Sequence, residues 1–322
     1  MTNKNAEQST TNSNEILPIL YWVLGSIWAP ITLPWIIYQM LGTLHMKYKR
    51  TNLNSKVVLI TGASSGLGEA LAHAFYAAGC RVILAARRKN ELERVKKDLL
   101  ESHQTVPTHV PIILPLDLTD LPSLPKNIET VLGICSQIDI LINNGGITSR
   151  GNVLNTDLGV YEKLMLVNYF GQVCLTKAVL PSMVERKSGH IVLISSVQGL
   201  IGIPNRSAYA ASKHAIQAFC DSLRAEVAEH NVEVTVVSPG YIKTELSLNA
   251  LTESGSKYGR MDENTAKGYS AEYVAEQIVR AVVEKKNEVI IAPPTARIAV
   301  YLRRLLPSVY FWIMNKRAKN EV

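Results

Sequence analysis

At 322 residues with 47% hydrophobic side chains, the chain is long enough for one large domain or two small ones and can fill a core. Its net charge of +7 sits at the ends: residues 51–290 hold 24 basic and 24 acidic residues, residues 1–50 four against two, and residues 291–322 six against one. A neutral central region argues against a nucleic-acid partner, which calls for a basic stripe on the folded domain; basic charge beside apolar residues at both ends points to a membrane surface.

Residues 1–15, "MTNKNAEQSTTNSNE", are polar and read as a disordered N-terminus. Residues 16–44 then run from Ile16 to Leu44 without a charged side chain. A helical bilayer crossing needs about 20 apolar residues, so this segment is expected to be a membrane anchor. It is too long for the apolar part of a signal peptide, and no small-residue cleavage site follows. Pro18, Pro30 and Pro34 leave open a kinked span or a re-entrant hairpin. Lys47, Lys49 and Arg50 follow the segment and only Lys4 precedes it, which places the folded region in the cytosol by the positive-inside rule.

From Lys56 onward short β-branched runs alternate with amphipathic ones. "KVVLIT", "RVILAA", "PIILPLD", "IDILINN", "HIVLIS", "EVTVVSP" and "EVIIA" read as seven strands separated by helices. Continuously apolar strands of this kind predict an α/β fold with a doubly wound, Rossmann-type parallel sheet covered on both faces. "GEALAHAFYAAG" is helical and ends on Gly79; "NELERVKKDLLES" is helical with Asn90 as its cap. No internal repeat or linker divides the region. Residues 246–270 are polar and weakly periodic, the pattern of a lid or specificity loop. The tail, residues 293–322, is a basic apolar extension whose Leu, Tyr, Phe and Trp beside Arg303 and Arg304 suit an interfacial helix. Cys80, Cys135, Cys174 and Cys220 have no metal or redox spacing and read as buried small hydrophobes; no metal site is expected.

The first strand runs into "TGASSGLG", with Gly62, Gly66 and Gly68 spaced G-x-x-x-G-x-G. Glycine permits a tight strand-to-helix turn and the approach of a pyrophosphate, which the helix N-terminus then faces with free N–H groups. Ser64 and Ser65 belong to this turn, with Ser65 and Leu67 lending hydroxyl or backbone contacts. The second strand ends at "AARRKNEL". Where a fold preferring NAD carries an acid for the ribose hydroxyl, this chain has Ala86, Arg87 and Arg88. Guanidinium groups suit a 2′-phosphate, so NADP(H) is the expected cofactor, with NAD(H) the alternative.

In "SAYAASKHAIQAF", Tyr209 and Lys213 are four apart and share one helical face. A cation beside a phenol favours the phenolate, so the pair suits acid/base work. A packed tyrosine with an exposed lysine has the same spacing. His214 points about 100° away and reads as structural.

Together "TGASSGLG", "LINNGG", Ser195–Ser196 and "YAASK" resemble the short-chain dehydrogenase/reductase family over roughly Lys56 to Ala292, and residues 51–292 are expected to be its catalytic domain. The resemblance implies an oxidoreductase acting on CH–OH groups, with Asn168, Ser196, Tyr209 and Lys213 catalytic and Ser196 also on the substrate. It implies cofactor contacts from Gly62, Ser65, Gly66, Leu67, Gly68, Arg87, Asp117, Asn144, Tyr209, Lys213 and Thr244, with Asp117 near the adenine and Thr244 at the carboxamide. Tyr209 would exchange a proton with the carbonyl oxygen, and Lys213 would hold the nicotinamide ribose and lower the Tyr209 pKa. Asn168 would anchor a water relaying protons towards Lys213. One departure is clear: the family's usual Asn-Asn-Ala-Gly is Asn143-Asn144-Gly145-Gly146, so packing there is expected to loosen. Resemblance also implies a lipid-like carbonyl substrate, such as acyl- or alkyl-dihydroxyacetone phosphate, a retinoid or a steroid ketone, at the endoplasmic reticulum or peroxisome membrane. Arg150 and Arg206 are candidates for a phosphate head group or are solvated arginines. A homo-oligomer is left open. The alternative of a different class is a tethered interaction protein, a scaffold that has lost catalysis, and the intact Asn168, Ser196, Tyr209 and Lys213 set argues against it.

Overall fold

The structure is a computed structural model describing residues 51–106 and 109–320, together with Thr32 and residues 34–36, which are helical with Trp35 and Ile36 exposed. Apart from those four residues, the expected disordered stretch and anchor lie outside the described residues.

Seven parallel strands form one sheet in the order β3-β2-β1-β4-β5-β6-β7. They are β1 (Val57–Thr61), β2 (Arg81–Ala86), β3 (Ile112–Pro115), β4 (Ile140–Asn143), β5 (Gly189–Ile194), β6 (Val232–Pro239) and β7 (Glu288–Ile291). Both faces of the central strands are covered, which is why β1 and β4 read as unbroken apolar runs and show no alternation. One face packs against α1 (Gly66–Ala77), α2 (Lys89–Ser102) and a later helix, Ala271–Val283; Phe75, Leu92 and Ile278 are fully buried there. The other face packs against α3 (Ser123–Cys135) and helices over Gly171–Glu185 and Ser207–Glu226, burying Ile128, Leu175 and Ile216. This is the doubly wound α/β fold the periodicity predicts.

The helix after β4 is not uniform. α4 (Leu158–Met165) passes through a π-helical turn, Leu166–Phe170, into α5 (Gly171–Glu185). The stretch Leu158–Glu185 is long and apolar enough to cross a membrane, but it is a core element of this domain. The second helix begins at Lys89 with Arg88 at the N-cap position in extended backbone, two residues before the Asn90 cap expected from sequence. All the cysteines are free; Cys80, Cys135 and Cys220 are buried and Cys174 partly so. Burial pushes the Cys80 and Cys220 thiols up to about 12.

Strand order reverses at β1 and β4, because β2 lies on one side of β1 and β4 on the other. A crevice opens there at the carboxyl ends of the strands, where doubly wound folds bind ligands. α6 (Ser207–Glu226) crosses its floor. α7 (Glu263–Ala266) lies within the 246–270 segment and α8 (Ala271–Val283) follows it; the segment is tied down by bridges from Leu251 to Ser149 and Lys257 and from Ile242 to Tyr269.

Beyond β7 the tail forms α9 (Pro294–Leu305) and α10 (Pro307–Asn320). Val300 and Tyr310 are buried against Val197, Ile201 and Ala292, and the Tyr310 hydroxyl donates to the Gly202 carbonyl. The tail is thus stapled to the loop that follows Ser196. Tyr310→Ala should cost about 3–5 kcal/mol of stability, the usual loss for a buried aromatic truncated to alanine. Denaturant unfolding of the full chain in mild detergent checks this, and a loss below about 1 kcal/mol would show that the staple is loose.

Candidate active site

Gly62 and Gly66 adopt φ of +66° and +57°, backbone that non-glycine residues rarely occupy. A Cβ on Gly68 would lie 2.1 Å from the Gly62 carbonyl oxygen, so the first helical turn packs directly on the strand end. Ser65 precedes α1 in extended backbone and makes no side-chain cap, leaving first-turn N–H groups for an anion. Arg88 donates to the Ser64 and Ser65 hydroxyls at 3.0 Å each, so one of the two arginines after β2 holds the turn. Arg87 is exposed at the same cavity.

Across the switch point, β1 and β4 are cross-stitched. Asn144 donates through its side chain to the Thr61 carbonyl at 2.9 Å, and the Thr61 hydroxyl accepts the N–H groups of Asn144 and Gly145 at 3.0 and 2.9 Å. At the departure from the family pattern, a methyl on Gly145 would sit 2.8 Å from Leu118 Cδ1. Leu118 fills the space, so the expected loosening does not occur. The Asp117 carboxylate accepts both the N–H and the hydroxyl of Thr119 at 2.9 Å, which fixes it at the rim. Thr244 packs over Gly66: a Cβ there would meet its methyl at 3.1 Å.

Asn168 lies in the π-helical turn, completely buried. Its amide oxygen accepts the Ile147 N–H at 2.9 Å, and its nitrogen donates to the Ile147 carbonyl at 2.9 Å and to Ser212 at 3.0 Å. The π turn aims this amide across to the strand loop, a use typical of such bulges. Lys213 on α6 is 4% exposed and donates to the Ile194 carbonyl at 2.8 Å. A Cβ on Gly146 would lie 3.1 Å from the Asn168 amide oxygen and 3.6 Å from Lys213 Nζ, so both groups reach the same bare backbone. Ser196 accepts the Gln198 N–H at 3.1 Å and hydrogen-bonds the Tyr209 phenol. Ser195 donates to the Lys213 carbonyl at 3.2 Å, locking α6 against the end of β5.

One continuous cavity of about 960 Å³ takes in the glycine turn, Arg87, Asp117, Asn144, Ser196, Tyr209, Lys213 and Thr244. Asn168 stands behind its wall. A dinucleotide fits this cradle: it offers bare N–H groups for a pyrophosphate, two glycines where a side chain would intrude, and a buried ammonium for ribose hydroxyls. The nicotinamide supplies or accepts hydride when bound.

The electrostatics correct one expectation. Burial pushes the Tyr209 phenol above its ordinary value, against the Ser196 hydrogen bond and the charges of Arg150 and Arg206. Lys213 turns its Nζ to the Ile194 carbonyl and stands over the ring at 5.8 Å from its centroid, and the net direction at Tyr209 is set by burial. Burial itself holds the Lys213 ammonium down at about 8. Arg150 and Arg206 are not solvated surface arginines either. Their side chains are 10% and 12% exposed and both pair with Asp262 of the 246–270 segment, Arg150 through Nε at 2.8 Å and Arg206 at 3.6 Å. That arrangement joins residues 112 positions apart and leaves no local trace in the sequence. His214 donates to the Ala210 carbonyl at 2.8 Å and is structural.

A dinucleotide cradle opening onto a tyrosine, serine and lysine at the strand ends defines an oxidoreductase of the nicotinamide class. The family model for short chain dehydrogenases matches residues 56–254, and the chain belongs to the short-chain dehydrogenase/reductase family. It is 59% identical over 301 residues to the dehydrogenase/reductase SDR family protein 7-like of Anopheles gambiae, covering 94% of this chain and 95% of that protein. It is 46% identical over 310 residues to dehydrogenase/reductase SDR family member 7B of Bos taurus, covering 96% and 92%. Among solved structures, an alcohol dehydrogenase from Thermococcus sibiricus complexed with 5-hydroxy-NADP superimposes with a TM-score of 0.63 at 25% identity, covering 74% of this chain and 96% of that one.

On the roles the family resemblance implies, reduction calls for a proton on Tyr209 and a charge on Lys213, and both are lost as pH rises. Lys213 titrates first, because burial lowers its value and raises that of Tyr209. The kcat/KM for reduction should therefore fall above about pH 8, roughly tenfold per further pH unit. Residual activity of Lys213→Arg, always charged, should lack that break. A wild-type profile flat across this range would remove Lys213 from the titration.

Proposed function

We propose that this oxidoreductase is a membrane-attached, NADP(H)-preferring reductase of a lipid-like ketone, with acyl- or alkyl-dihydroxyacetone phosphate as the substrate. The observation that carries the reading is the reach of the single cavity. It runs from Arg87 at the cofactor end, past Ser196 and Tyr209, to an apolar end formed by Ile201, Ile203, Leu246, Ala299 and Met314. An aliphatic chain suits that end. The relatives at 46–59% identity are named as dehydrogenase/reductases, which agrees with the redox chemistry.

Arg87 and Arg88 in place of an acid support the phosphorylated cofactor. Arg150 lines the cavity, which supports an anionic head group. In turnover Tyr209 delivers the proton to the ketone oxygen and Ser196 holds that oxygen in place. Lys213 fixes the ribose, and Asn168 with the Ile147 carbonyl positions a water path to it. The apolar run at 16–44 and the basic residues after it support attachment to an endoplasmic reticulum or peroxisome membrane with this domain in the cytosol.

The test is turnover by the full chain in phospholipid vesicles, with a phosphorylated long-chain ketone and an uncharged one of equal length. Arg87→Asp should reduce the NADPH-over-NADH preference about 10–100-fold, the worth of one charge-assisted hydrogen bond. Arg150→Gln should raise KM for the phosphorylated ketone by a similar factor and spare the uncharged one. Equal effects on both ketones would favour a neutral retinoid or steroid substrate. Cofactor binding without turnover of any carbonyl would favour the scaffold.

A further inference from the structure

A surface helix ordinarily has one apolar face, turned to the core. The two tail helices have two. Inward, α9 presents Val300 and α10 presents Tyr310, with Met314 and Arg317 one and two turns further on. Outward, α9 exposes Ile298, Tyr301 and Leu305 at helical spacing, the last 75% exposed. Leu306 continues the stripe through the corner, and Val309, Trp312 and Ile313 extend it along α10. A contiguous apolar surface of this kind on a soluble face marks an interaction site.

Its borders say what it meets. Arg303 lies over the Phe311 ring at 4.8 Å and Lys316 over the Trp312 ring at 5.5 Å, so cations flank the exposed aromatics. Arg304 and Lys319 are exposed beside them, and the tail holds six basic residues against one acidic. Aromatic and aliphatic side chains rimmed by cations match the headgroup boundary of an anionic bilayer, where Trp and Tyr settle and basic residues are attracted to the lipid charge. The same hairpin walls the catalytic cavity on its inner side through Ala296, Ala299, Met314 and Arg317.

We propose that the outer face of the α9–α10 hairpin docks on an anionic lipid surface, as a membrane contact separate in the chain from residues 16–44. Docking there places a wall of the catalytic cavity against the bilayer, where a lipid-like ketone is concentrated. The proposal concerns binding and stands whether or not the substrate reading does.

The test uses the full chain carrying Leu306→Cys, spin-labelled and reconstituted in vesicles of phosphatidylcholine with phosphatidylserine. Ile134→Cys, exposed on α3, is the control, and the labelled unsubstituted chain sets the background from the native cysteines. At Leu306 the label should be relaxed more by oxygen than by a water-soluble nickel chelate, and the control should show the reverse. The difference should shrink in vesicles of phosphatidylcholine alone. A label equally open to the nickel chelate at both sites overturns the proposal. So does dipolar broadening at Leu306 that persists in detergent and disappears on dilution with unlabelled chain, which assigns the face to a second copy. Immersion of equal depth in both lipids overturns the anionic surface as the partner.

Discussion

A buried ammonium held by a backbone carbonyl is the constraint on which this structure turns. Lys213 forms no salt bridge among the described residues; its hydrogen bond goes to Ile194 at the end of β5. An unpaired buried charge is expensive, and burial accordingly brings Lys213 down towards neutrality. The surrounding fold bears that cost. α6 is fixed to β5 through Ser195, and Asn168 is fixed to the Ile147 backbone and to Ser212 of the same helix. The catalytic groups therefore stand on rigid elements that meet at one end of the sheet.

The same logic separates the roles of burial and charge around Tyr209. Desolvation alone makes a phenol a weaker acid, which suits a proton donor in reduction. The opposing cations are Arg150 and Arg206, and both are shared with Asp262 on the polar segment that sequence marks as a lid. The lid thus carries a carboxylate that moderates the positive field at the reacting centre. Tail and lid approach the cavity from different parts of the chain, yet each is tied close to a residue of the candidate site: the tail to the loop after Ser196, the lid to the arginines beside Tyr209.

Much of this was legible in the sequence because it is local. Apolar, largely β-branched runs of five to seven residues marked the seven strands, and the glycine spacing marked the turn. What remained hidden depends on distant residues meeting. A π-helical turn at Leu166–Phe170 has no compositional signature, although it aims Asn168. The Arg88 tether to Ser64 and Ser65 requires two loops to converge. Leu118 filling the space beside Gly145 requires the loop after β3 to reach the end of β4, past the two strands that lie between them in the sheet. The Lys213–Tyr209 spacing fixes only a shared face; that the Lys213 ammonium donates to the Ile194 carbonyl while standing over the Tyr209 ring depends on the meeting of α6 and β5.

The central claim is that Tyr209 is the proton donor in a cradle that binds the nicotinamide cofactor independently of it. Tyr209→Phe retains the ring and its packing and removes only the hydroxyl. Single-turnover reduction with this variant in the full chain, alongside cofactor titration by fluorescence, tests the claim directly. The account predicts a rate lower by about 10²–10⁴ with cofactor affinity close to that of the native chain. A rate near the native value with the cofactor bound would contradict it.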